Sequence, residues 1–306
     1  MSQAGPGSRV GLIINPAAGG GEAAAAAGTL HTRLSAAGFQ VVPLSARSAG
    51  SALAMARHAI ATDQIDSLVV AGGDGMAHLG VNACAQTQIP LGIVALGTGN
   101  DIAAGLGLPV HDVDGAVRVL THGEVAQMDA GRVDDVGPRC WFGGALYAGF
   151  DAIVNARANA WTRPRGQARY VAAVLRELPT FRPIPYAITI DGERTQTEAM
   201  LVIVANAPSY GGGMRVTPQA RLNDGLLDVL TVGRLSRTEL LRVFPQVYAG
   251  GHVGHPAVTI TRGREVRLEA TGITAWADGE PFHPVPLTAR VVPGAVRVIL
   301  PRGDRP

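Results

Sequence analysis

Short apolar runs alternate with helical patterns along roughly the first 130 residues. The apolar runs predict strands at residues 10–15, 39–44, 68–71 and 89–96. Helical spacing predicts helices at residues 22–37, 51–61, 76–85 and 112–120, the last of which Asp112 can cap. Strands and helices in this order form a parallel sheet with right-handed crossovers, and such sheets bind ligands beyond the carboxyl ends of their strands.

A second pattern, of short strands with alternating polar and apolar residues, begins near Arg132. Asp191-Gly192 predicts a hairpin, and a helix over residues 236–248 begins with a capping box of Ser236 and Glu239. Strands are predicted at 184–190, 195–205, 226–232, 257–261, 265–269, 273–277, 287–292 and 295–300. We therefore predict an α/β protein with an N-terminal parallel-sheet domain and a C-terminal antiparallel β-sandwich or barrel domain.

The segment Leu68–Gly75 ends a predicted strand in a glycine turn, with a predicted helix directly after it. Gly72, Gly73 and Gly75 let backbone N–H groups approach a bulky anion, and the helix N-terminus adds positive potential. Asp74 would repel a bare phosphate, but it fits a site in which a divalent cation lies between the two negative groups. The turn predicts a nucleotide–Mg²⁺ site, and the alternative is a glycine turn with a capping aspartate.

Two further turns have a related form. Thr98, in Gly97-Thr98-Gly99-Asn100-Asp101, can donate to a phosphate oxygen, and Asp101 offers a second carboxylate. Asn15-Pro16 with Gly19, Gly20 and Gly21 is either a nucleotide-binding turn or a loop ahead of an alanine-rich helix. Asn15, Asp74 and Thr98 each follow the carboxyl end of a predicted strand, so they could converge at one edge of the sheet.

Turns in the β-rich half offer one candidate for chemistry. Gly211–Met214 and Asn223–Val229 are favoured as ordinary turns when they are taken alone. Asp278-Gly279-Glu280 has the form of a hairpin turn, as does its copy Asp191-Gly192-Glu193. A kinase that acts on an alcohol nevertheless benefits from a carboxylate that accepts the hydroxyl proton.

Residues 159–178 bring arginines close to aromatic side chains. The residues concerned are Trp161, Arg163, Arg165, Arg169, Tyr170 and Arg176. Such a composition suits contact with an anionic membrane surface, and an arginine-rich solvated helix face explains it equally well.

Composition narrows the function further. Of the 306 residues 47% are apolar, yet no apolar run is long enough to span a membrane and the first residues lack a signal-peptide pattern, so we expect a soluble, cytoplasmic protein. The two cysteines, Cys84 and Cys140, predict neither a disulfide scaffold nor a zinc site. All 26 cationic side chains are arginine, which excludes mechanisms that need a Walker A, protein-kinase or Schiff-base lysine. A net charge of +2 does not indicate a nucleic-acid partner.

Six of these motifs, in this order, resemble those of the bacterial diacylglycerol-kinase-type lipid kinases. Relatives of that family include sphingosine and ceramide kinases and, more distantly, NAD kinases. The resemblance covers nearly the whole chain. The motifs are Asn15-Pro16, Gly72-Gly73-Asp74-Gly75, Pro90 through Asp101, Gly211 through Pro218, Asn223 through Val229, and Asp278-Gly279-Glu280.

The resemblance implies a nucleotide-binding domain at residues 1–131 and a lipid-substrate domain at 132–292, with the active site between them. A closing strand and tail at 293–306 often packs back towards the first domain in this family. The implied reaction transfers the γ-phosphoryl group of ATP to the hydroxyl of diacylglycerol and gives phosphatidic acid. A sphingoid base, ceramide, polyprenol or NAD acceptor stays open, as does a nucleotide-binding relative without catalysis.

Site residues follow from the same resemblance. Those implied to contact ATP are Asn15, Gly72, Gly73, Asp74, Gly75 and Thr98, with Ser45 by a looser alignment. Arg221, Asp224 and Leu226 fall where relatives hold a structural Mg²⁺, partly through backbone carbonyls. Asp74, Asp101 and Asp129 would form a carboxylate network around the catalytic Mg²⁺, and Glu280 matches the proton acceptor. In place of lysine, Arg215 or Arg221 could assist at the phosphates.

The sequence departs from the family at three positions: Met76, His78 and Leu79 replace a threonine, an asparagine and a glutamate. A hydroxyl that could touch phosphate and a carboxylate are therefore missing. The implied location is cytoplasmic with peripheral contact to an anionic membrane, since the lipid acceptor lies in a bilayer. The oligomeric state stays open, a homodimer included.

Overall fold

In a computed structural model of the chain, residues 7–15, 22–134, 136–138, 140–161, 163 and 167–303 are described. The chain divides into two compact units. The first contains residues 1–130, 222–224 and 292–306, and the second contains residues 131–221 and 225–291. Among the described residues, no helix has both the length and the apolar character needed to cross a membrane.

The first unit is built on a parallel sheet with the strand order β2-β1-β3-β4. Its strands are β1 (Arg9–Ile14), β2 (Gln40–Pro43), β3 (Ser67–Gly72) and β4 (Leu91–Ala95). Its helices are α1 (Glu22–Ala36), α2 (Ala49–Ala61), α3 (Asp74–Cys84), α4 (Asp101–Gly105) and α5 (Val113–His122). Every residue of β3 and β4 is buried, as expected for central strands covered on both faces.

Two strands are divided between the units. These are β5 (Glu124–Val133), which belongs to the first unit through Ala130, and β15 (Leu287–Leu300), which belongs to it from Val292. Within the first unit, β15 pairs in parallel with β4, with Val298 opposite Leu91.

The second unit is antiparallel. Its strand order is β14-β13-β7-β9-β8-β12-β15, and β10 pairs with β9 and β11. Its strands are β6 (Trp141–Phe142), β7 (Ala145–Gly149), β8 (Ile184–Ile190), β9 (Glu193–Ala205), β10 (Leu227–Gly233), β11 (Val258–Gly263), β12 (Glu265–Glu269), β13 (Thr274–Ala277) and β14 (Glu280–Pro284). Its helices are α6 (Phe150–Ala160), α7 (Gln167–Glu177), α8 (Arg237–Val243) and two 3₁₀ helices, Phe244–Ala249 and Gly251–Gly254.

Alternate residues of the same strands supply two separate cores in the second unit. Leu146 and Val204 belong to a core between strands, whereas their neighbours Tyr147 and Ile203 belong to a core that includes residues of α6, α7 and α8. This is the period-two division of a strand between two faces. One face of the sandwich is therefore covered by a layer of helices, which we call the helical layer (α6, α7, α8 and the two 3₁₀ helices).

The predicted fold class is confirmed: parallel strands at the N-terminus precede an antiparallel β-sandwich. The strands predicted at 287–292 and 295–300 form one strand, β15, with Gly294 at φ +61° inside it. The helix predicted over 236–248 keeps its capping box but changes to a 3₁₀ helix at Phe244. Pro245 lies there, and a proline inside an α-helix would remove a hydrogen bond and clash with the preceding turn.

Candidate active site

The turns after β3 and β4 approach so closely that side chains would not fit between them. A Cβ atom added at Gly97 would lie 2.2 Å from the Cα of Gly73, and one added at Gly73 would lie 2.9 Å from the carbonyl oxygen of Gly99. The backbone N–H of Leu96 also donates to the carbonyl of Gly72 at 2.9 Å. The two glycine turns therefore pack backbone against backbone, and we call the pair the glycine loop (Gly72–Gly75 and Gly97–Gly99).

Asn15 lies beside this loop. Its backbone N–H donates to the carbonyl of Ala71 at 3.1 Å, and its Cβ lies 3.5 Å from the position that a Cβ on Gly72 would take. Gly72 has φ +154°, in the region that favours glycine, and Met76 packs directly over it. The structure thus brings together the β1, β3 and β4 turns that the sequence placed at the strand ends.

Asp74 is the first residue of α3, and its Oδ1 accepts a hydrogen bond from the backbone N–H of Ile102 at 3.3 Å. Ile102 follows the buried Asp101 at the start of α4, so the two carboxylates lie on adjoining turns. Gly73 precedes α3 without a side-chain cap. The positive end of α3 is therefore met by Asp74 and by the backbone of the glycine loop.

Two more predicted nucleotide contacts are exposed at this edge of the first unit. Thr98 lies within the glycine loop. Ser45 follows β2, which runs parallel to β1, so it too lies beyond the carboxyl end of a strand. The residues Pro16, Gly19, Gly20 and Gly21 lie outside the described residues.

Asp129 is buried on β5 and makes hydrogen bonds to two other segments of the first unit. Its backbone N–H donates to the carbonyl of Leu222 at 2.7 Å, and its Oδ1 accepts from the N–H of Gly294 at 2.7 Å. The exposed Asp224 belongs to the same short segment as Leu222, whereas Arg221 and Leu226 are assigned to the second unit.

No three Asp, Glu, His or Cys side chains among the described residues come together in an arrangement that could hold a metal ion. The roles suggested for Asp74, Asp101 and Asp129 and for the segment around Asp224 therefore stay predictions. Mg²⁺ commonly uses only one or two protein carboxylates together with substrate phosphates and water.

In the second unit, Asp278-Gly279-Glu280 forms the tight turn between β13 and β14. Asp278 is 7% exposed and has φ +50°, whereas Glu280 is exposed to solvent. The carboxylate of Asp278 accepts hydrogen bonds from the backbone N–H groups of Gly143, Gly144 and Ala145 at 2.9, 2.8 and 3.0 Å. The main chain at Glu280 is thus tied to the start of β7.

The second unit also contains a largely apolar cavity beneath the helical layer. Its volume is about 70 Å³. Phe150, Leu201, Ile203, Met214, Leu230 and Phe244 are among the side chains that line it. The polar or ionisable side chains in its wall are those of Asp151, Tyr170, Tyr210 and His252.

Asp151 is 2% exposed and lies at the first turn of α6. The hydroxyl of Tyr170 donates to its Oδ1, and the amide of Asn155 donates to its Oδ2 at 3.2 Å. Burial raises the pKa of the Asp151 carboxyl, while hydrogen bonds from Tyr170, Tyr210 and Asn155 act in the opposite direction. A buried carboxyl that keeps its proton to a higher pH is typical of functional sites as well as of structural networks.

Tyr147 connects this cavity wall to the turn at Glu280. Its ring lies 5.0 Å from that of Tyr210, centroid to centroid, and the backbone N–H of Gly279 donates to its hydroxyl. Burial, followed by the charges of Asp151, Asp278 and Glu280, holds the pKa of Tyr147 well above its usual range. The polar end of the cavity and Glu280 are therefore near neighbours within the second unit.

His252 is a further buried polar residue of the cavity wall. Its Nε2 lies 2.9 Å from the carbonyl oxygen of Val216, while its Nδ1 has no hydrogen-bond partner among the described residues. Burial lowers the pKa of His252, although the Val216 carbonyl opposes this shift. Burial thus disfavours the charged imidazolium of His252.

Sequence reasoning missed Asp151, Tyr147 and Tyr210. Gly149, directly before α6, was a residue in the sequence that could have drawn attention to this segment. The structure shows why it is glycine: it has φ +110°, and a Cβ there would lie 2.6 Å from the carbonyl oxygen of Met200. Tyr170 was grouped with a membrane-facing or solvated surface, but its hydroxyl binds Asp151. Of the arginines in that segment, Arg163 is exposed, Arg169 donates to the carbonyl of Trp161 at 3.1 Å, and Arg165 lies outside the described residues.

Comparisons with protein families match both halves of the chain. Residues 9–133 match the family described as diacylglycerol kinase catalytic domain. Residues 144–300 match the family described as YegS C-terminal NAD kinase beta sandwich-like domain.

Relatives of known name cover most of the chain. A diacylglycerol kinase of Mycobacterium tuberculosis (strain ATCC 25618 / H37Rv) is 39% identical over 296 residues, which is 96% of each chain. A diacylglycerol kinase of Bacillus subtilis (strain 168) is 28% identical over 237 residues, 77% of each chain.

Solved structures share the fold. A diacylglycerol kinase from Bacillus anthracis str. Sterne superposes with a TM-score of 0.70 at 21% identity and covers 96% of this chain and 97% of that chain. An NAD kinase from Archaeoglobus fulgidus in complex with ATP superposes with a TM-score of 0.55 at 12% identity and covers 96% of this chain and 94% of that chain.

Proposed function

Because this chain belongs to the diacylglycerol kinase family and is a kinase, we propose that it transfers the γ-phosphoryl group of ATP to the hydroxyl of diacylglycerol and produces phosphatidic acid. The observation that carries the choice of a lipid acceptor is the apolar cavity of the second unit, whose polar end neighbours Glu280. Sites for small ligands combine an apolar lining with a few polar groups in this way.

The glycine loop supports the nucleotide end of the proposal. Its backbone at Gly73 and Gly97 leaves no room for a Cβ, and Gly73, at the N-cap of the helix that begins at Asp74, provides no side-chain cap. Such a cradle fits phosphate oxygens, which would accept hydrogen bonds from its N–H groups. Around it, Asn15, Ser45 and Thr98 would complete the contacts to ATP.

The same edge of the sheet fits a divalent cation with few protein ligands. Asp74 and Asp101 lie on adjoining turns beside the glycine loop, and this chain has no lysine to neutralise the phosphates. Mg²⁺, when bound, would neutralise the negative charge of the phosphates during transfer. Asp129 would support that network, and Arg221, Asp224 and Leu226 would hold the structural Mg²⁺ implied by the family.

For the reaction itself we assign Glu280 to the acceptor hydroxyl. Its carboxylate would take the proton while the oxygen forms its bond to the γ-phosphorus and the bond from that phosphorus to ADP breaks. The exposed position of Glu280 on a fixed turn suits contact with a substrate from outside the unit.

We further propose a domain organisation in which residues 1–131 bind ATP, residues 132–292 bind the lipid, and residues 293–306 close the first domain.

The acyl chains of the acceptor would enter at this cavity, which has to widen to admit them because its volume is only about 70 Å³. The largely apolar lining suits the hydrocarbon chains of a lipid. A ceramide or polyprenol acceptor would meet the same cavity. Incubation with labelled ATP and a panel of these lipids, followed by mass spectrometry of the product, identifies the acceptor; a labelled product only from a sphingoid base contradicts the proposal.

We also propose that the helical layer makes peripheral contact with an anionic membrane, where the lipid acceptor lies. Six of the eight exposed large hydrophobic side chains in the described part of the chain belong to this layer. They are Ile153, Val171, Leu175, Leu241, Tyr248 and Val253. Exposed arginines on the same helices, such as Arg176 and Arg242, add charge of the sign that anionic lipids attract.

The central test measures transfer of radiolabel from ATP to dispersed diacylglycerol. Glu280→Gln should lower the rate about 10²–10⁴-fold, because the hydroxyl proton loses its acceptor, and Asp74→Asn should be at least as severe. Glu193→Gln is the matched control, since Glu193 closes the other Asp-Gly-Glu turn of the same unit and should keep the wild-type rate. Wild-type rates in both Glu280→Gln and Asp74→Asn would refute the proposed mechanism.

A further inference from the structure

The turn that carries Glu280 is held by several hydrogen bonds to the main chain at the start of β7. Asp278 accepts three successive backbone N–H groups, and its own N–H donates to the carbonyl of Ala145 at 3.0 Å. The next residue, Gly279, is also held, because its N–H donates to the buried hydroxyl of Tyr147. Contacts to β7 therefore hold both residues that precede Glu280.

The segment that Asp278 binds is itself fixed from a second direction. The side-chain amide of Asn206 donates to the carbonyl of Gly143 at 2.9 Å, and the backbone N–H groups of Asn206 and Ala207 both donate to the carbonyl of Gly144 at 2.7 and 3.0 Å. Asn206 is fully buried. Asp278 is thus attached to a rigid part of the sandwich, and a small change in its contacts would move the turn relative to that part.

A comparable turn occurs elsewhere in the same unit. Asp191 has φ +48°, close to the +50° of Asp278, and its Oδ1 accepts from the N–H groups of Arg264 and Glu265 at 2.9 and 2.8 Å. Asp191 is exposed, whereas Asp278 is 7% exposed. In both turns, therefore, the aspartate carboxylate binds the turn to a neighbouring strand. Such an anchor affects catalysis only where the glutamate that follows takes part in the reaction.

We propose that Asp278 is a positioning residue that fixes the direction of Glu280 towards the acceptor hydroxyl. This inference rests on the proposed role of Glu280 as the proton acceptor. Three N–H groups hold the Asp278 carboxylate in one orientation, and the contact of Gly279 with Tyr147 holds the main chain from which the Glu280 side chain projects. Displacement of a catalytic group by about 1 Å can cost about 10²-fold in rate.

The test compares Asp278→Asn with Asp191→Asn. An asparagine amide nitrogen cannot accept a hydrogen bond, so each variant loses part of its set of backbone contacts. We expect Asp278→Asn to lower kcat about 10- to 100-fold with the KM for ATP unchanged, and Asp191→Asn to stay within about twofold of wild type. Thermal unfolding of both variants measures the structural cost of each change.

A double variant separates positioning from general structural damage. If Asp278 acts through Glu280, then Asp278→Asn should cause no further loss in a Glu280→Gln background, whereas a loss of the same size in both backgrounds overturns the inference. Equal rates in Asp278→Asn and Asp191→Asn overturn it as well. Absence of label transfer to diacylglycerol by the wild type refutes the proposed function instead, so the two failures are distinguishable.

Tyr147→Phe provides a second route if Asp278→Asn does not fold. It removes only the hydroxyl that accepts from Gly279 and leaves the ring in place. We expect a smaller loss of kcat in the same direction, again absent in the Glu280→Gln background. The inference is overturned if Tyr147→Phe keeps the wild-type kcat and Asp278→Asn either does not fold or folds with the wild-type kcat.

Discussion

Gly97 and Gly73 show how single residues restrict the glycine loop of the first unit. A Cβ on Gly97 would lie 2.2 Å from the Cα of Gly73, which is backbone and cannot rotate away. The two turns must therefore separate if either residue gains a side chain. This requirement is independent of any assigned function, but it acts at the place where ATP is proposed to bind.

We expect Gly97→Ala to lower the free energy of unfolding by about 1–3 kcal/mol and to weaken ATP binding, because the loop has to move to admit the methyl group. Urea unfolding and calorimetric titration with ATP measure the two effects. The control is Gly28→Ala in α1, where no heavy atom lies within 4 Å of the added Cβ; there the helix should gain about 0.5–1 kcal/mol. Unchanged stability and affinity in Gly97→Ala would contradict the close approach.

Asp151 predicts a pH dependence at the residue scale. Its pKa is raised in the folded protein, mainly by burial, so the folded chain holds a proton that the unfolded chain has lost above the ordinary value of 3.8. Unfolding then releases a proton, and stability falls as pH rises from 3.8 through the raised value. The stability that the protonated carboxyl gives at low pH is lost over that interval.

Asp151→Asn should remove this contribution while keeping the shape of the side chain. We expect the stability of the wild type relative to Asp151→Asn to decrease as the pH rises above 3.8, as followed by urea unfolding at several pH values. The expected difference arises from one site, so the remaining pH dependence of the two proteins should be parallel. A stability difference that does not change with pH would argue against the raised pKa.

At the scale of elements, α7 has two different faces. Ala173 and Val174 are buried in the core of the helical layer, and Tyr170 reaches Asp151, whereas Val171 and Leu175 are 41% and 54% exposed. Val171 and Leu175 are four residues apart, so they share one face of the helix. An apolar exposed face next to Arg176 is typical of helices that rest on an anionic membrane surface.

The double variant Val171→Ser and Leu175→Ser should bind vesicles of phosphatidylglycerol and phosphatidylcholine several-fold more weakly, because the apolar area that would enter the interface is lost. Co-sedimentation with vesicles measures the bound fraction. Met55→Ser, at another exposed apolar position on α2 of the first unit, is the control and should bind normally. Equal binding by the double variant and the wild type would exclude this face of α7.

At the scale of the whole molecule, the chain passes through each of the two units more than once, and the residues proposed for the reaction belong to both units. Segment 222–224 and the residues from 292 onward are assigned to the first unit, although both follow long stretches of the second. The proposed reaction requires Asp74, from the first unit, and Glu280, from the second, to act on one pair of substrates. Changes in either unit should therefore affect the same phosphoryl transfer.

The local features of this protein could be predicted from the sequence. Apolar runs separated by helical patterns predicted the parallel sheet, and glycines at strand ends predicted the turns that converge around Gly73 and Gly97, because both signals lie within a few adjacent residues. The capping box at Ser236 was also predicted, since its two partners are three residues apart. The end of that helix at Phe244 was missed, although Pro245 was a signal within the sequence.

Tertiary structure alone decided the contacts between distant segments. Asp278 binds N–H groups 133 to 135 residues away, and an identical tripeptide at Asp191 gave the sequence no means to tell a buried anchor from an exposed turn. The cavity wall unites Asp151, Tyr210 and His252 from separate elements, and burial there sets the pKa of the carboxyl. Burial and hydrogen bonding of this kind depend on which faces pack together, and a linear pattern does not contain that information.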